Sequence, residues 1–83
     1  MSSGRASRAV PFGFGMVRLN LAVGVRIAKV RKRRGLSQAA LAKLIGISRV
    51  SVTNMEAGHH GASLHRIYVV ASILKVPVTD LIP

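Results

Sequence analysis

Two helix-start signals in close succession constrain the fold of this chain more than any other feature. Leu36-Ser37 opens the first segment, Ile47-Ser48 opens the second, and Gly46 stands between them. A serine at a helix N-cap accepts a hydrogen bond from a free backbone N–H group of the first turn, and the apolar residue before it packs onto that turn. Glycine ends a helix readily because it adopts positive φ at no steric cost. Two short helices joined by such a turn cannot continue in line, so they are predicted to cross at a large angle.

Apolar residues at helical spacing predict further helices on both sides of this pair. The first is expected from Leu21 to Gly35. A later helix is expected to begin at the cap Ser63 and to end before Pro77, because proline cannot continue a helix. A short last helix is predicted over Thr79–Ile82, which makes a compact all-α domain of five helices. Its expected core residues are Val23, Ile27, Val30, Leu41, Ala42, Ile45, Val52, Met55, Leu64, Ile67, Val70, Ala71 and Leu74.

Residues 1–20 lack this periodicity and are rich in Ser, Gly and Arg. They are predicted to form a flexible basic arm ahead of a domain at 21–83. The apolar stretch inside the arm is broken by proline and glycine, which argues against a signal peptide. No apolar run approaches the ~18 residues that a membrane span requires. The sequence leaves open whether the natural start is Met1 or Met16.

The charge balance favours a polyanionic partner. The chain carries 13 Lys and Arg against 2 Asp and Glu, for a formal net charge of +11. Nucleic acid is the first candidate for such a cation, and an anionic membrane surface is the second. Part of the charge lies in the run from Arg31 to Arg34, where Arg31 is expected to point inward. Lys32 and Arg33 can reach phosphates from this run and are candidate phosphate contacts.

The second helix of the crossing pair, expected over about 48–57, has two unlike faces. Val52 and Met55 give it an apolar side. Spacing at i, i+1, i+4 and i+5 places on the opposite side Arg49, Val50, Thr53 and Asn54. Arg, Asn and Thr can donate to or accept from base edges in the major groove, and an apolar side chain can contact a thymine methyl. These four residues are the candidate base contacts.

The sequence offers no support for catalysis. Its acids, Glu56 and Asp80, stand apart, there is no cysteine, and there is no glycine-rich phosphate loop. The histidines His59, His60 and His65 have no well-placed fourth ligand for a metal. We therefore expect a protein that is not an enzyme and that needs no metal or cofactor.

The motif residues also follow the order and spacing of a known family. They are Gly35-Leu36-Ser37-Gln38-Ala39-Ala40-Leu41-Ala42, Gly46-Ile47-Ser48, Val52, Met55-Glu56, Gly58, Leu74-Lys75-Val76-Pro77 and Leu81-Ile82. In this arrangement the chain resembles the Cro/lambda-repressor-like helix-turn-helix family, also called the xenobiotic-response-element family. The resemblance covers about 23–82. It implies five helices, with the third in the major groove of DNA.

The resemblance also implies roles for individual residues. It places Arg49, Val50 and Asn54 at base-contacting positions, with Thr53 nearby. It places Gln38, at the start of the second helix, on a phosphate, which agrees with the affinity of helix N-termini for anions.

Further positions are assigned in the same way. Ser48 caps the equivalent end of the third helix and is, like Gln38, a candidate phosphate contact. The loop after that helix contacts the DNA backbone in the family, and here it carries His59 and His60 where Lys or Arg is usual. Arg31 and Glu56 occupy positions that the family pairs as ions between the first and third helices.

These inferences lead to one main functional hypothesis and two alternatives. The main one is a sequence-specific regulator of transcription, a repressor, that binds double-stranded DNA as a homodimer on a two-fold operator, since one recognition helix covers few base pairs. We expect it to be cytoplasmic and associated with the nucleoid, without a membrane partner. The first alternative is an antitoxin or protein-interaction module whose partner is a toxin or another regulator. The second is a non-specific architectural or membrane-surface binder. A candidate dimer surface is the last helix, with its apolar residues Val78, Leu81 and Ile82.

Overall fold

Helices make up the whole of the regular structure in the computed structural model, which describes residues 12–59 and 62–83. The α-helices are α1 (Phe12–Arg33), α2 (Gln38–Ile45), α3 (Arg49–Ala57) and α4 (Leu64–Leu74). No strand occurs in these two ranges, so the all-α prediction is confirmed there. The predicted fifth helix over Thr79–Ile82 is instead a single 3₁₀ turn at Val78–Asp80.

The start of α1 differs from the prediction. The helix begins at Phe12 and not at Leu21, so the expectation of a flexible arm through Asn20 is wrong for residues 12–20. Residues 1–11 lie outside the described residues, and the arm stays a prediction for them. The last part of this segment meets other elements, because Leu19 and Asn20 line a small cavity with residues of α3, α4 and the loop before α4. Residues 15–18 are exposed, so packing does not account for the earlier start.

The serine caps fold as the sequence predicts. The Oγ atoms of Ser37, Ser48 and Ser63 accept hydrogen bonds from backbone N–H groups three residues on, at 3.0, 3.1 and 3.1 Å. Gly46 ends α2 and Gly58 ends α3, both with positive φ. The turn between α2 and α3 is therefore fixed by side-chain caps and by a left-handed glycine, and α2 and α3 form the crossing pair.

One core joins all the helices. Its fully buried side chains are Ile27, Leu41, Val52, Val70, Leu74 and Leu81. Leu64 was expected in the core but is 62% exposed, because it opens α4 on the outer side. Leu81 is buried, and Val78 and Ile82 pack partly against the core. The apolar residues of the candidate dimer surface therefore stabilise this chain's own fold, and little apolar surface remains there for a partner.

The backbones of α1 and α3 come into direct contact at Gly24. A Cβ atom at this position would lie 2.5 Å from the carbonyl oxygen of Glu56 and 2.6 Å from that of Met55. Only a residue without a side chain lets the two backbones come this close. The contact holds α3 against α1 and leaves its opposite side outward.

We expect Gly24→Ala to lower the free energy of unfolding by about 1–3 kcal/mol, the usual cost of overpacking a fixed core. Gly15→Ala is the matched control in the same helix, because a Cβ there meets nothing within 4 Å. Alanine loses less backbone entropy than glycine in a helix, so this control should be neutral or stabilising by up to about 1 kcal/mol. Urea titration followed by circular dichroism measures the stability of both variants. Equal unfolding midpoints for Gly24→Ala and Gly15→Ala would contradict the close approach of α1 and α3 at Gly24.

Candidate nucleic-acid interface

Helix α3 presents a polar face outward because its apolar side is held by the core. Val52 is fully buried and Met55 is 6% exposed. On the other side Arg49, Val50 and Thr53 are exposed, and Val50 is 65% accessible. Asn54 is half-buried at the edge of this face. The structure thus brings the four predicted base contacts together on one helix, and their contacts with bases stay a prediction.

A buried ion pair fixes the inner side of α3 to α1. The guanidinium of Arg31 donates from Nε to Oε2 of Glu56 at 2.6 Å and from Nη2 to Oε1 at 3.0 Å. The two side chains are only 9% and 6% exposed. Nη1 of Arg31 also donates to the carbonyl oxygen of Leu36 at 2.7 Å, which ties the pair to the start of the crossing motif. The predicted interhelical pair is confirmed, with both carboxylate oxygens engaged.

The side chain of Gln38 connects this ion pair to the outer face of α3. Its Nε2 donates to Oε1 of Glu56 at 3.0 Å. Its Oε1 accepts from the Thr53 hydroxyl at 2.9 Å, and that hydroxyl also lies 3.1 Å from the carbonyl oxygen of Arg49. Sequence reasoning placed Gln38 and Thr53 separately and missed the bond between them. The only available signal was that both belong to the two crossing helices.

The remaining predicted phosphate contacts do not all lie near the face formed by α2 and α3. Ser48 caps α3, and its hydroxyl also bonds that of Ser51 at 2.9 Å. Lys32 and His59 are exposed, whereas His60 lies outside the described residues. Arg33 lines a groove with Thr79 and Asp80, and no residue of α2 or α3 lines that groove. The structure therefore does not bring Arg33 to the face formed by α2 and α3.

Arg34 has a structural role that the sequence did not indicate. Its Nε donates to the carbonyl oxygen of Leu74 at 2.8 Å, and its Nη2 donates to that of Lys75 at 3.0 Å. These bonds complete the carboxyl end of α4, where Lys75 adopts positive φ. Arg34, one cation of the basic run, thus connects the end of α1 to the end of α4.

The described residues show neither a metal site nor a membrane-spanning helix. Within 12–59 and 62–83, no three His, Cys, Asp or Glu side chains are grouped so as to hold a metal ion. In the same ranges, no helix is long and apolar enough to cross a membrane. The outward face of α3, beside the capped starts of α2 and α3, is the feature that the fold positions most firmly.

A short crossing pair of helices, with the second one held so that its polar face is exposed, defines a helix-turn-helix DNA-binding domain. The sequence profile of the helix-turn-helix family HTH_3 matches residues 27–81, so the chain belongs to this family. The resemblance to lambda-repressor-like domains is thereby confirmed.

Similar proteins are regulators. An uncharacterized HTH-type transcriptional regulator of Archaeoglobus fulgidus is 32% identical over 56 residues, which are 68% of this chain and 80% of that protein. The crystal structure of the restriction-modification controller protein C.AhdI from Aeromonas hydrophila is 34% identical with a TM-score of 0.70, and the match covers 74% of this chain and 92% of that one. An HTH_3 family transcriptional regulator from Vibrio cholerae is 26% identical with a TM-score of 0.74, covering 80% of this chain and 37% of that one. Family and relatives together support DNA binding in transcription regulation.

Proposed function

We propose that this chain is a sequence-specific transcriptional repressor that inserts α3 into the major groove of double-stranded DNA. The observation that carries the proposal is the orientation of α3. Val52 and Glu56 are held inside, while Arg49, Val50 and Thr53 are exposed on the outer face. The major groove admits one α-helix, and a helix so mounted can enter it without unfolding or rotation.

The residues of this face have complementary abilities at base edges. Arg49 can donate two hydrogen bonds to the O6 and N7 atoms of guanine, and Asn54 can pair with adenine. Val50, exposed in the first turn of α3, suits a thymine methyl group. Thr53 supplies a hydroxyl and a methyl group beside them.

Phosphate contacts orient the domain on the duplex. Gln38 and Ser48 stand at the starts of α2 and α3, where unpaired backbone N–H groups favour anions. The loop residues His59 and His60 and the basic residue Lys32 extend this contact in the proposal. Arg33, beside the terminal 3₁₀ turn, reaches a phosphate only if the DNA extends past α1.

A dimer gives this arrangement its affinity and its specificity. Helix α3 has 9 residues, so one copy reads only a few base pairs. Two copies related by a two-fold axis read two half-sites, and we propose that the operator has this symmetry. Occupying a promoter in this way blocks transcription without any further activity, which makes repression the simplest mode of regulation.

A second candidate function, binding of a protein partner such as a toxin, is favoured by one observation. Exposed large apolar side chains are concentrated on α1, and they are Met16, Val17, Leu19, Leu21 and Val25. Val17, Leu21 and Val25 are four residues apart and therefore share one side of α1, and a contiguous apolar surface often marks an interaction site.

Enrichment of bound sequences from a random pool of duplex DNA tests the proposed function. We expect the full chain to enrich one sequence with two inverted half-sites, about one helical turn or 10 base pairs apart. Phosphate contacts alone carry no sequence information, so a non-specific binder would retain DNA without enriching any sequence. Recovery of an unchanged random pool would contradict the proposal and would favour the protein-interaction alternative.

A further inference from the structure

Hydrogen bonds link Arg31, Glu56, Gln38 and Thr53 in a chain. The buried carboxylate of Glu56 determines which atom donates in each of the following bonds. A carboxylate only accepts hydrogen bonds, so the Gln38 atom 3.0 Å from Oε1 of Glu56 must be its amide nitrogen. The carbonyl oxygen of the same amide then faces Thr53, and it also only accepts. The Thr53 hydroxyl must therefore be the donor across the 2.9 Å contact with Gln38.

This direction determines which hydrogen-bonding groups Thr53 presents on its outer side. A hydroxyl has one proton, and both acceptors of that proton, Oε1 of Gln38 and the carbonyl oxygen of Arg49, belong to the protein. The contact with Gln38 is the shorter of the two, 2.9 Å against 3.1 Å, so Gln38 is the stronger constraint on the hydroxyl. Toward DNA, Thr53 presents lone pairs and a methyl group and has no proton to donate.

We propose that Gln38 is a positioning residue for base recognition, acting through Thr53, in addition to any phosphate contact. With its proton held by Gln38, Thr53 accepts a hydrogen bond from an exocyclic amino group, N6 of adenine or N4 of cytosine. It discriminates against the guanine edge, which offers only the acceptors N7 and O6 in the major groove. This inference rests on the proposed function, because it requires α3 in the major groove.

The test measures the affinity of full-length variants for the enriched duplex and for its single-base variants. Thr53→Val keeps the shape but removes the acceptor, and one hydrogen bond corresponds to about five- to tenfold in discrimination at one base pair per half-site. We expect Gln38→Ala to weaken discrimination at that same base pair, because only the longer 3.1 Å contact with the carbonyl oxygen of Arg49 then holds the proton, and the hydroxyl can rotate to donate to DNA. The double variant Gln38→Ala, Thr53→Val should discriminate at that base pair as Thr53→Val alone does, with no further loss. Thr53→Ser, which keeps the hydroxyl, should retain the preference for an amino group.

Lys32→Ala is the matched control, since loss of an exposed cation should lower affinity by the same factor for every duplex. Thermal melts confirm that each variant is folded at the assay temperature. If Gln38→Ala also lowers affinity by one factor for all duplexes while Arg49→Ala still changes base preference, the inference fails and the proposed function stands. If the wild-type chain enriches no sequence, both fail.

Discussion

Removing the Glu56 carboxylate, as in Glu56→Ala, is expected to lower the free energy of unfolding by about 3–5 kcal/mol. The Arg31 guanidinium would remain in a site where its side chain is only 9% exposed, without the two carboxylate oxygens that now accept from it. A small domain has a total stability of only about 5–15 kcal/mol, so the variant should lose a large part of it. Denaturant titration followed by circular dichroism gives this difference directly.

Two further variants separate the ion pair from a general effect of lost charge. Asp80→Ala removes an exposed acid and should shift the stability by no more than about 0.5 kcal/mol. Replacing both partners with apolar residues, as in Arg31→Met with Glu56→Leu, should recover much of the loss because no charge is then buried. A Glu56→Ala variant that unfolds at the wild-type midpoint would show that the pair does not hold α3.

Local chemistry explains which parts of the fold were predictable. The caps Ser37, Ser48 and Ser63 and the glycine Gly46 act within one turn of themselves, so the sequence around each is sufficient to place it. The Arg31–Glu56 pair is a contact between distant residues, and it was predicted only through resemblance to the family. Composition and periodicity would not have found it.

The errors arose where the local pattern does not determine the structure. Residues 12–20 hold glycines and no clear apolar stripe, yet α1 extends through them although residues 15–19 are exposed, and packing does not explain this extension. Leu64 continues an apolar spacing but lies on the first turn of α4, where no other element covers it. The exposure of Leu64 depends on which neighbours the folded chain supplies, and periodicity carries no such information.

The candidate site shows the same division. The shared face of Arg49, Val50 and Thr53 follows from helical geometry and could be predicted from spacing alone. The bond between Gln38 and Thr53 depends on the crossing angle of α2 and α3 and on the buried acid behind them. No sequence pattern specifies an angle to the accuracy that a 2.9 Å hydrogen bond requires.

Replacing Arg49 or Asn54 with alanine is expected to cost about 1–3 kcal/mol on the preferred operator and to relax base preference at one position per half-site. Each of these side chains lies on or beside the outer face of α3, and neither belongs to the buried core. Both variants should therefore stay folded, which thermal melts can check. Lys29→Ala is the matched control for lost charge, because Lys29 lines the groove that contains no residue of α2 or α3.

The most direct test of the account is a binding panel of wild type, Arg49→Ala, Asn54→Ala and Lys29→Ala against the operator and all its single-base variants. The account predicts that Lys29→Ala keeps the wild-type pattern of preferences. Arg49→Ala and Asn54→Ala should each lose discrimination at their own base pair, and at its symmetry mate in the other half-site. If both variants bind every duplex with the wild-type pattern of preferences, α3 is not the element that recognises DNA sequence.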